Sequence, residues 1–207
     1  MEHALMTPLF IDRPDSPLGR LLVVADDQSL RGVDFADNEA RLMRLLEVGD
    51  GAALIPKDDP LGASSALAAY FAGDLTALDA LPVHYGGTPF QNRVWKALRT
   101  IAFGQTLSYA ALAERIGAPG ACRAVGRANG LNPLSLVLPC HRVIGGSGAL
   151  TGYAGGLARK AWLLRHEGLA IEGFRLAPAP RLSDVENCRP PIPGAGRPTP
   201  APFRRHP

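Results

Sequence analysis

The sequence predicts an α+β protein: a small N-terminal α/β lobe with a short antiparallel sheet, then a helical C-terminal domain built around a helix-turn-helix. Three observations carry this expectation. Short apolar runs separated by turn signals open the chain. From residue 88 onward, cap-bounded segments with helical periodicity follow one another. Charge divides at the same place: residues 1–88 hold 6 Lys/Arg against 14 Asp/Glu, and residues 89–176 hold 11 against 3. The 207 residues, 46% apolar and 20% charged, suit a soluble globular chain of one large or two small domains. The expected division is lobe and connector over 1–87, helical domain over 88–176 and a tail over 177–207.

Element by element, the runs Pro8–Asp12, Leu21–Ala25 and Leu30–Phe35 are split by R-P-D-S-P-L-G and A-D-D-Q. Spacing this tight favours an antiparallel meander. Asp37 can cap a helix whose Leu42, Leu45 and Leu46 form an apolar stripe. A second helix is expected over Ala63–Ala72, ending at Gly73, with a connector over 74–87. Thr88-Pro-Phe-Gln91 is a capping box with proline at the first helical position, and Phe90, Val94, Leu98 and Ile101 then share a face. Ser108 can cap a helix that runs to Ile116 and stops at Gly117. After A-P-G, a further helix spans about Ala121–Asn129. Its Ala121, Ala124, Val125 and Ala128 make a small-residue packing face, and Arg123 and Arg127 stand at i, i+4 outside it. This pair is a helix-turn-helix pattern. A last helix is expected over Leu157–Glu167, ending at Gly168. In residues 177–207, nine of 31 are proline and apolar periodicity is lost, which predicts a disordered basic tail.

The bulk properties narrow the function. A basic half is the footprint of a phosphate-rich partner. No apolar run approaches transmembrane length, and M-E-H-A-L-M-T-P-L-F is no secretory signal. The cysteines, Cys122, Cys140 and Cys188, form an odd set without metal-ligand spacing, so a reducing, cytoplasmic setting is expected and Cys188 is expected to be inert.

The stretch V-L-P-C-H-R-V-I-G-G at 137–146 carries a cysteine out of the apolar run Leu134–Leu138 and sets a histidine and an arginine beside it. On these residues alone, Cys140 is either a small core hydrophobe or a nucleophile whose thiol pKa the neighbours lower.

P-C-H-R-V at 139–143 resembles the active-site signature of the O6-alkylguanine-DNA alkyltransferases, also called methylated-DNA–protein-cysteine methyltransferases. The resemblance runs continuously over about 88–169, with S-Y at 108–109, R-A-V-G at 123–126, N-P at 132–133, G-Y-A-G-G at 152–156 and H-E-G at 166–168. It implies a winged-helix-like DNA-binding domain and a direct, irreversible repair reaction. In that reaction Cys140 takes the alkyl group from O6 of guanine, possibly also from O4 of thymine, and the protein is consumed. It further implies that His141 acts as base toward Cys140 through a water, oriented by Glu167. Asn132 would fix backbone and water around the thiol, and Tyr109 would hydrogen-bond the guanine and help protonate it. Backbone near Val143 and the Tyr153–Ala154 loop would hold the base. Arg123 would fill the gap left by the flipped nucleotide, with Ala124 and Ala128 allowing close approach to the minor groove. Arg127 is expected to contact phosphate.

The partner implied is alkylated double-stranded DNA, bound by a monomer, with no cofactor, metal or membrane. The zinc site that some members carry in the N-terminal lobe cannot be carried over, because no cysteine precedes Cys122. Ala154 stands where some relatives have serine, and the tail is additional. The rival readings are a non-catalytic protein that binds alkylated DNA, against which the chain keeps its cysteine, and a Cys-His hydrolase, which would need an oxyanion hole and many turnovers.

Overall fold

The computed structural model describes residues 8–48 and 54–177. The three apolar runs form β1 (Phe10–Asp12), β2 (Leu21–Ala25) and β3 (Leu30–Phe35). They pair antiparallel in chain order, with Phe10 opposite Ala25 and Leu21 opposite Phe35. A fourth strand, β4 (Ile55–Pro56), lies parallel to β1 and extends the expected meander to the order β3-β2-β1-β4. Two residues carry no alternation to read, so this strand is silent in the sequence.

Helix α1 (Glu39–Leu45) covers one face of the sheet, where Leu22 and Val24 meet Leu42 and Ile11. Leu21, Val23 and Ala25 face the other side, toward α2 (Ala63–Phe71) and the main core. Both faces are therefore dry, which is why β2 reads as an unbroken apolar run. Gly32 permits the close approach of α1: a Cβ there would stand 2.9 Å from Leu42 Cδ1. Asp37 does not cap α1. Residues 36–38 make a single 3₁₀ turn, Asn38 takes the cap position without a side-chain bond, and the Asp37 carboxylate pairs with Arg159. A long-range ion pair has displaced the local cap. Leu45 stays outside the cluster that Leu42 and Leu46 join.

The C-terminal half follows its cap signals closely. Helix α3 (Pro89–Arg99) starts at a complete capping box, Thr88 accepting from Gln91 N and Gln91 Oε1 accepting from Thr88 N. Ser108 caps α4 (Tyr109–Arg115) by accepting from Ala111 N at 3.0 Å. Helix α5 (Cys122–Gly130) packs against α3 and α4. Its inner face is Val125, Ala128 and Asn129, while Ala124 is exposed beside Arg123 and Arg127. A buried asparagine, invisible to apolar periodicity, rotates the packing face away from Ala124. Strand β5 (Leu107–Ser108) pairs parallel with β6 (Val143–Ile144). Helix α6 (Leu157–His166) and the hairpin β7 (Ile171–Glu172)–β8 (Arg175–Leu176) complete the described chain. The expectations for the tail and for Cys188 lie outside the described residues beyond Ala177. No described helix is long and apolar enough to cross a membrane.

One junction places the site. The outer edge of β3 is covered in two places. Leu30 N donates to Pro82 O at 2.8 Å and His84 N to Leu30 O at 2.9 Å. Val33 N donates to Pro133 O at 2.9 Å and Ser135 N to Val33 O at 2.8 Å. The edge is thus consumed, and the segment leading to Cys140 is fixed to the sheet.

Candidate active site

From that anchor, residues 134–138 run fully buried, but as turns rather than as a strand; Leu136 lies in the left-handed region at φ +72°. Asn132, 1% exposed, holds the turn from within. Its Oδ1 accepts from Leu134 N at 2.9 Å and its Nδ2 donates to Leu138 O at 2.8 Å. Past Pro139, one 3₁₀ turn, Cys140–Arg142, carries the cysteine, the histidine and the arginine.

Helix α6 ends at Glu167, with Gly168 at φ +91° turning the chain away, and the Glu167 carboxylate points inward. Glu167 Oε1 accepts from Tyr70 OH and Arg142 Nη2, each at 2.8 Å, and meets His141 Nε2 at 2.8 Å. Oε2 accepts from Arg142 Nε at 2.8 Å, and Arg142 Nη1 donates to the Ile101 carbonyl. Burial opposes charge on Glu167, but His141 and Arg142 outweigh it and hold the carboxyl well below its ordinary range. An anionic acceptor opposite Nε2 fixes the tautomer: Nε2 carries the proton and Nδ1 keeps a lone pair. Nδ1 is buried and has no hydrogen-bond partner among the described residues. Burial also depresses the His141 pKa, more than Glu167 raises it, and the Arg142 and Lys160 charges push the same way.

The thiol behaves differently from the sequence expectation. Burial raises the Cys140 pKa, and the Asn132 hydrogen bond and the Lys160 charge do not offset it. Arg142, the neighbour expected to lower it, is engaged by Glu167 instead. At rest Cys140 is a thiol beside a neutral imidazole. That pair can move a proton once a substrate arrives, which is the nucleophile–base–orienter arrangement.

Beside this cluster lies a cleft of about 550 Å³ between Tyr109, the Cys122, Arg123 and Gly126 side of α5, and residues 151–154; Cys140 is not among its lining residues, and Tyr153 links the two, its ring centroid 6.4 Å from that of His141. Tyr109 OH is shared between the carbonyls of Thr151 (3.2 Å) and Gly152 (3.3 Å). Burial raises the Tyr109 and Tyr153 phenol pKa values. Tyr153 OH is buried without a hydrogen-bond partner among the described residues.

The structure therefore gathers Cys140, His141, Glu167 and Asn132 in one buried cluster and places Tyr109, Arg123, Tyr153 and Ala154 around a neighbouring cleft. It does not bring Val143 there: that residue is fully buried, and its carbonyl accepts from Lys160 Nζ at 2.5 Å. Ala124 and Arg127 line a separate groove of about 280 Å³ with Thr88, Phe90 and Gln91. Ala128 is buried and faces the core.

Sequence reasoning gives no role to Tyr70 or Lys160, and gives Arg142 only that of lowering the thiol pKa. Lys160 had a readable signal: it falls at i+3 of Leu157 and i−4 of Leu164, on the apolar stripe of α6. It is fully buried, donates to Val143 O and to Thr151 O (2.6 Å), and burial lowers its pKa to about 8. Tyr70 reads as an ordinary core aromatic at i+3 of Leu67, and nothing local reveals its hydroxyl partner.

Comparison with known proteins agrees with this geometry. Residues 9–85 match the family described as 6-O-methylguanine DNA methyltransferase, ribonuclease-like domain, and residues 89–169 match 6-O-methylguanine DNA methyltransferase, DNA binding domain. The chain is 52% identical over 170 residues to the methylated-DNA–protein-cysteine methyltransferase of Shigella flexneri, covering 80% of this chain and 99% of that protein. It is 48% identical over 153 residues to that of Mycolicibacterium paratuberculosis, covering 74% and 88%. The fold is similar to the crystal structure of Mycobacterium tuberculosis O6-methylguanine methyltransferase, with TM-score 0.64 and 41% identity over 77% of this chain and 92% of that one. It is also similar to Mycobacterium tuberculosis OGT in complex with DNA, with TM-score 0.66 and 44% identity over 77% and 91%.

Proposed function

The chain belongs to the 6-O-methylguanine DNA methyltransferase family, and on that premise we propose how its residues carry the repair of alkylated DNA. The protein transfers the alkyl group from O6-alkylguanine in DNA to its own cysteine. The observation that supports Cys140 as acceptor is its burial beside His141, whose Nε2 is locked to Glu167 and whose Nδ1 has no hydrogen-bond partner among the described residues. The target oxygen is stacked inside the duplex, so the nucleotide is flipped into the cleft under Tyr109 and residues 151–154. Arg123, exposed at the cleft rim, fills the vacated position, while Arg127 in the neighbouring groove contacts phosphate.

His141 Nδ1 takes the Cys140 proton through one water. The sulfur attacks the alkyl carbon, the carbon–O6 bond breaks, and its electron pair passes to the guanine oxygen. Tyr109 gives a proton to the leaving base and recovers one from the imidazolium, so the products are a neutral guanine and a thioether. Nothing in the site can reverse a carbon–sulfur bond, so each molecule reacts once. Asn132 keeps the turn before Cys140 rigid. O4-alkylthymine fits the same chemistry. A free thiol of this kind needs a reducing compartment, which points to the cytoplasm.

The test is mass measurement after mixing with O6-methylguanine duplex. One methyl group should appear on Cys140 per molecule and none on Cys140→Ala. Methyl loss from DNA by the Ala variant would show that another residue is the acceptor.

A further inference from the structure

The cleft has two walls, and both are tied to the N-terminal half of the chain. One wall is the loop 152–156. Three of its five residues are glycine, with Gly152 at φ +50° and Gly156 at φ +86°, so the loop has little stiffness of its own. Its carbonyls are held from outside. Asn38 Nδ2 donates to Ala154 O at 3.2 Å, and Arg159 Nη1 donates to Gly155 O at 3.4 Å. Gly155 is pressed against Phe35, where a Cβ would stand 2.8 Å from the ring.

Neither holder is free to move. The Arg159 guanidinium lies 4.0 Å above the Phe35 ring centroid, pairs with Asp37 at 2.8 Å and donates Nε to Leu18 O at 3.1 Å. Asn38 also donates to Asp34 Oδ1 at 3.1 Å, and Asp34 Oδ2 accepts from Arg41 Nη1 at 2.6 Å. Arg41 then reaches the opposite wall, donating Nη2 to Gly130 O at 2.5 Å and to Asn132 O at 3.1 Å. One buried carboxylate, Asp34, thus anchors a brace that links Gly130 to Ala154, two residues that line the cleft.

We propose that Asn38 and Arg159 are positioning residues that hold loop 152–156 at the separation from α5 that accepts a flipped purine. They set how tightly the base is held, not how fast the alkyl group moves. The inference rests on the repair reading above and adds to it a determinant of base affinity shared between Asn38 of the N-terminal half and Arg159 on α6. The chemistry supports this separation. Neither side chain is among the residues that line the cleft, and each holds the loop through a main-chain carbonyl. A loop cut loose from its brace orders on binding, and that entropy is lost from base affinity.

The experiment uses the full chain and the free base O6-benzylguanine, which needs no flipping. Single-turnover rates are measured across base concentration for the parent, Asn38→Ala, Arg159→Met and Arg159→Lys, alongside thermal melting and affinity for unmodified duplex. Asn38→Ala and Arg159→Met should each raise the half-saturating concentration roughly tenfold, the effect of about one net hydrogen bond. The limiting rate should stay within about twofold, the signature of lost binding and not of lost transition-state stabilisation. Arg159→Lys keeps a cation over Phe35 and beside Asp37 and should recover part of the loss. Duplex affinity should not change. An unchanged half-saturation with a lowered melting temperature would mean that these contacts only stabilise the fold, and would overturn the proposal. If Arg159→Met does not fold, Asn38→Ala decides alone, since its side chain is only half-buried. Failure of the parent to form a benzyl adduct on Cys140 would overturn the repair reading itself, and the inference with it.

Discussion

At the scale of single residues, the site is organised around charge balance more than around the cysteine. Burial outweighs the pull of Glu167 on His141, the Arg142 charge opposes that pull, and the imidazole stays unprotonated. The thiol is not pre-ionised, and its reactivity depends on a base that is already neutral. This fixes the pH behaviour. An imidazole with a depressed pKa remains a competent base through the pH range where a free histidine titrates, near 6.5. The transfer rate should therefore be flat from pH 8 down past 6.5 and fall only below it; a rate already halved near 6.5 would contradict the assignment. His141→Phe should slow transfer by about 10²–10⁴-fold, the usual contribution of a general base. Stability follows the same sign. Glu167, with its folded pKa depressed from 4.5, contributes stability that is complete above about 4.5 and lost as pH falls toward the folded value. Glu167→Gln removes that contribution and leaves Arg142, 11% exposed, without its carboxylate. It should both slow transfer and abolish the acid-dependent part of unfolding, as read by melting temperature against pH. The roles expected for Cys140, His141 and Glu167 came from the family resemblance that the short motifs P-C-H-R-V and H-E-G carry, not from spacing. Tyr70 was not legible, because its hydroxyl partner lies 97 residues away and no spacing rule encodes that distance.

At the scale of elements, the structure separates legible from illegible parts on physical grounds. Caps that bond within their own first turn, Thr88 to Gln91 and Ser108 to Ala111, were readable because donor and acceptor lie three residues apart. Asp37 fails as a cap because Arg159, 122 residues on, offers it a bidentate cation. Helix α5 shows the same division. Its buried face was misread around Ala124 because Asn129 is polar yet buried, donating to the Cys140 carbonyl at 3.4 Å. Its outer face was read correctly: Arg123 and Arg127 are both exposed, but in different depressions. That separation gives a test. If Arg123 fills the position of the flipped nucleotide, Arg123→Ala should slow duplex repair by roughly tenfold for each 1.4 kcal/mol of lost extrusion, and react with free alkylguanine at nearly the parent rate. Arg127→Ala should weaken duplex binding and reduce its salt slope by about one, without distinguishing the two substrates. Equal losses of Arg123→Ala on both substrates would make it a wall of the cleft and not a plug.

At the scale of the whole molecule, the acidic front and the basic back are joined through buried polar contacts that neither half could predict alone. Asp34 is fully buried, and Arg41 is its cationic partner. From the sequence, Asp34 reads as one polar position in a strand and Arg41 as one solvated helix residue. Only the packing of α1 on the sheet aims Arg41 at the end of α5. A buried pair of this kind is weak support for net stability, because desolvating two charges offsets much of their attraction. Its removal is asymmetric, however. Arg41→Met leaves a carboxylate uncompensated in the interior, also strips the Gly130 and Asn132 carbonyls of their donor, and should cost about 3–5 kcal/mol. Asp34→Asn/Arg41→Met removes both charges, and an amide at 34 can still accept from Phe35 N, as the carboxylate does at 2.9 Å. The double variant should therefore be more stable than Arg41→Met alone by about 1–3 kcal/mol, the penalty of one buried unpaired group. Denaturant unfolding of the four members of this cycle measures the difference. A double variant less stable than Arg41→Met would mean that Asp34 holds the fold through Phe35 and Asn38 without help from Arg41.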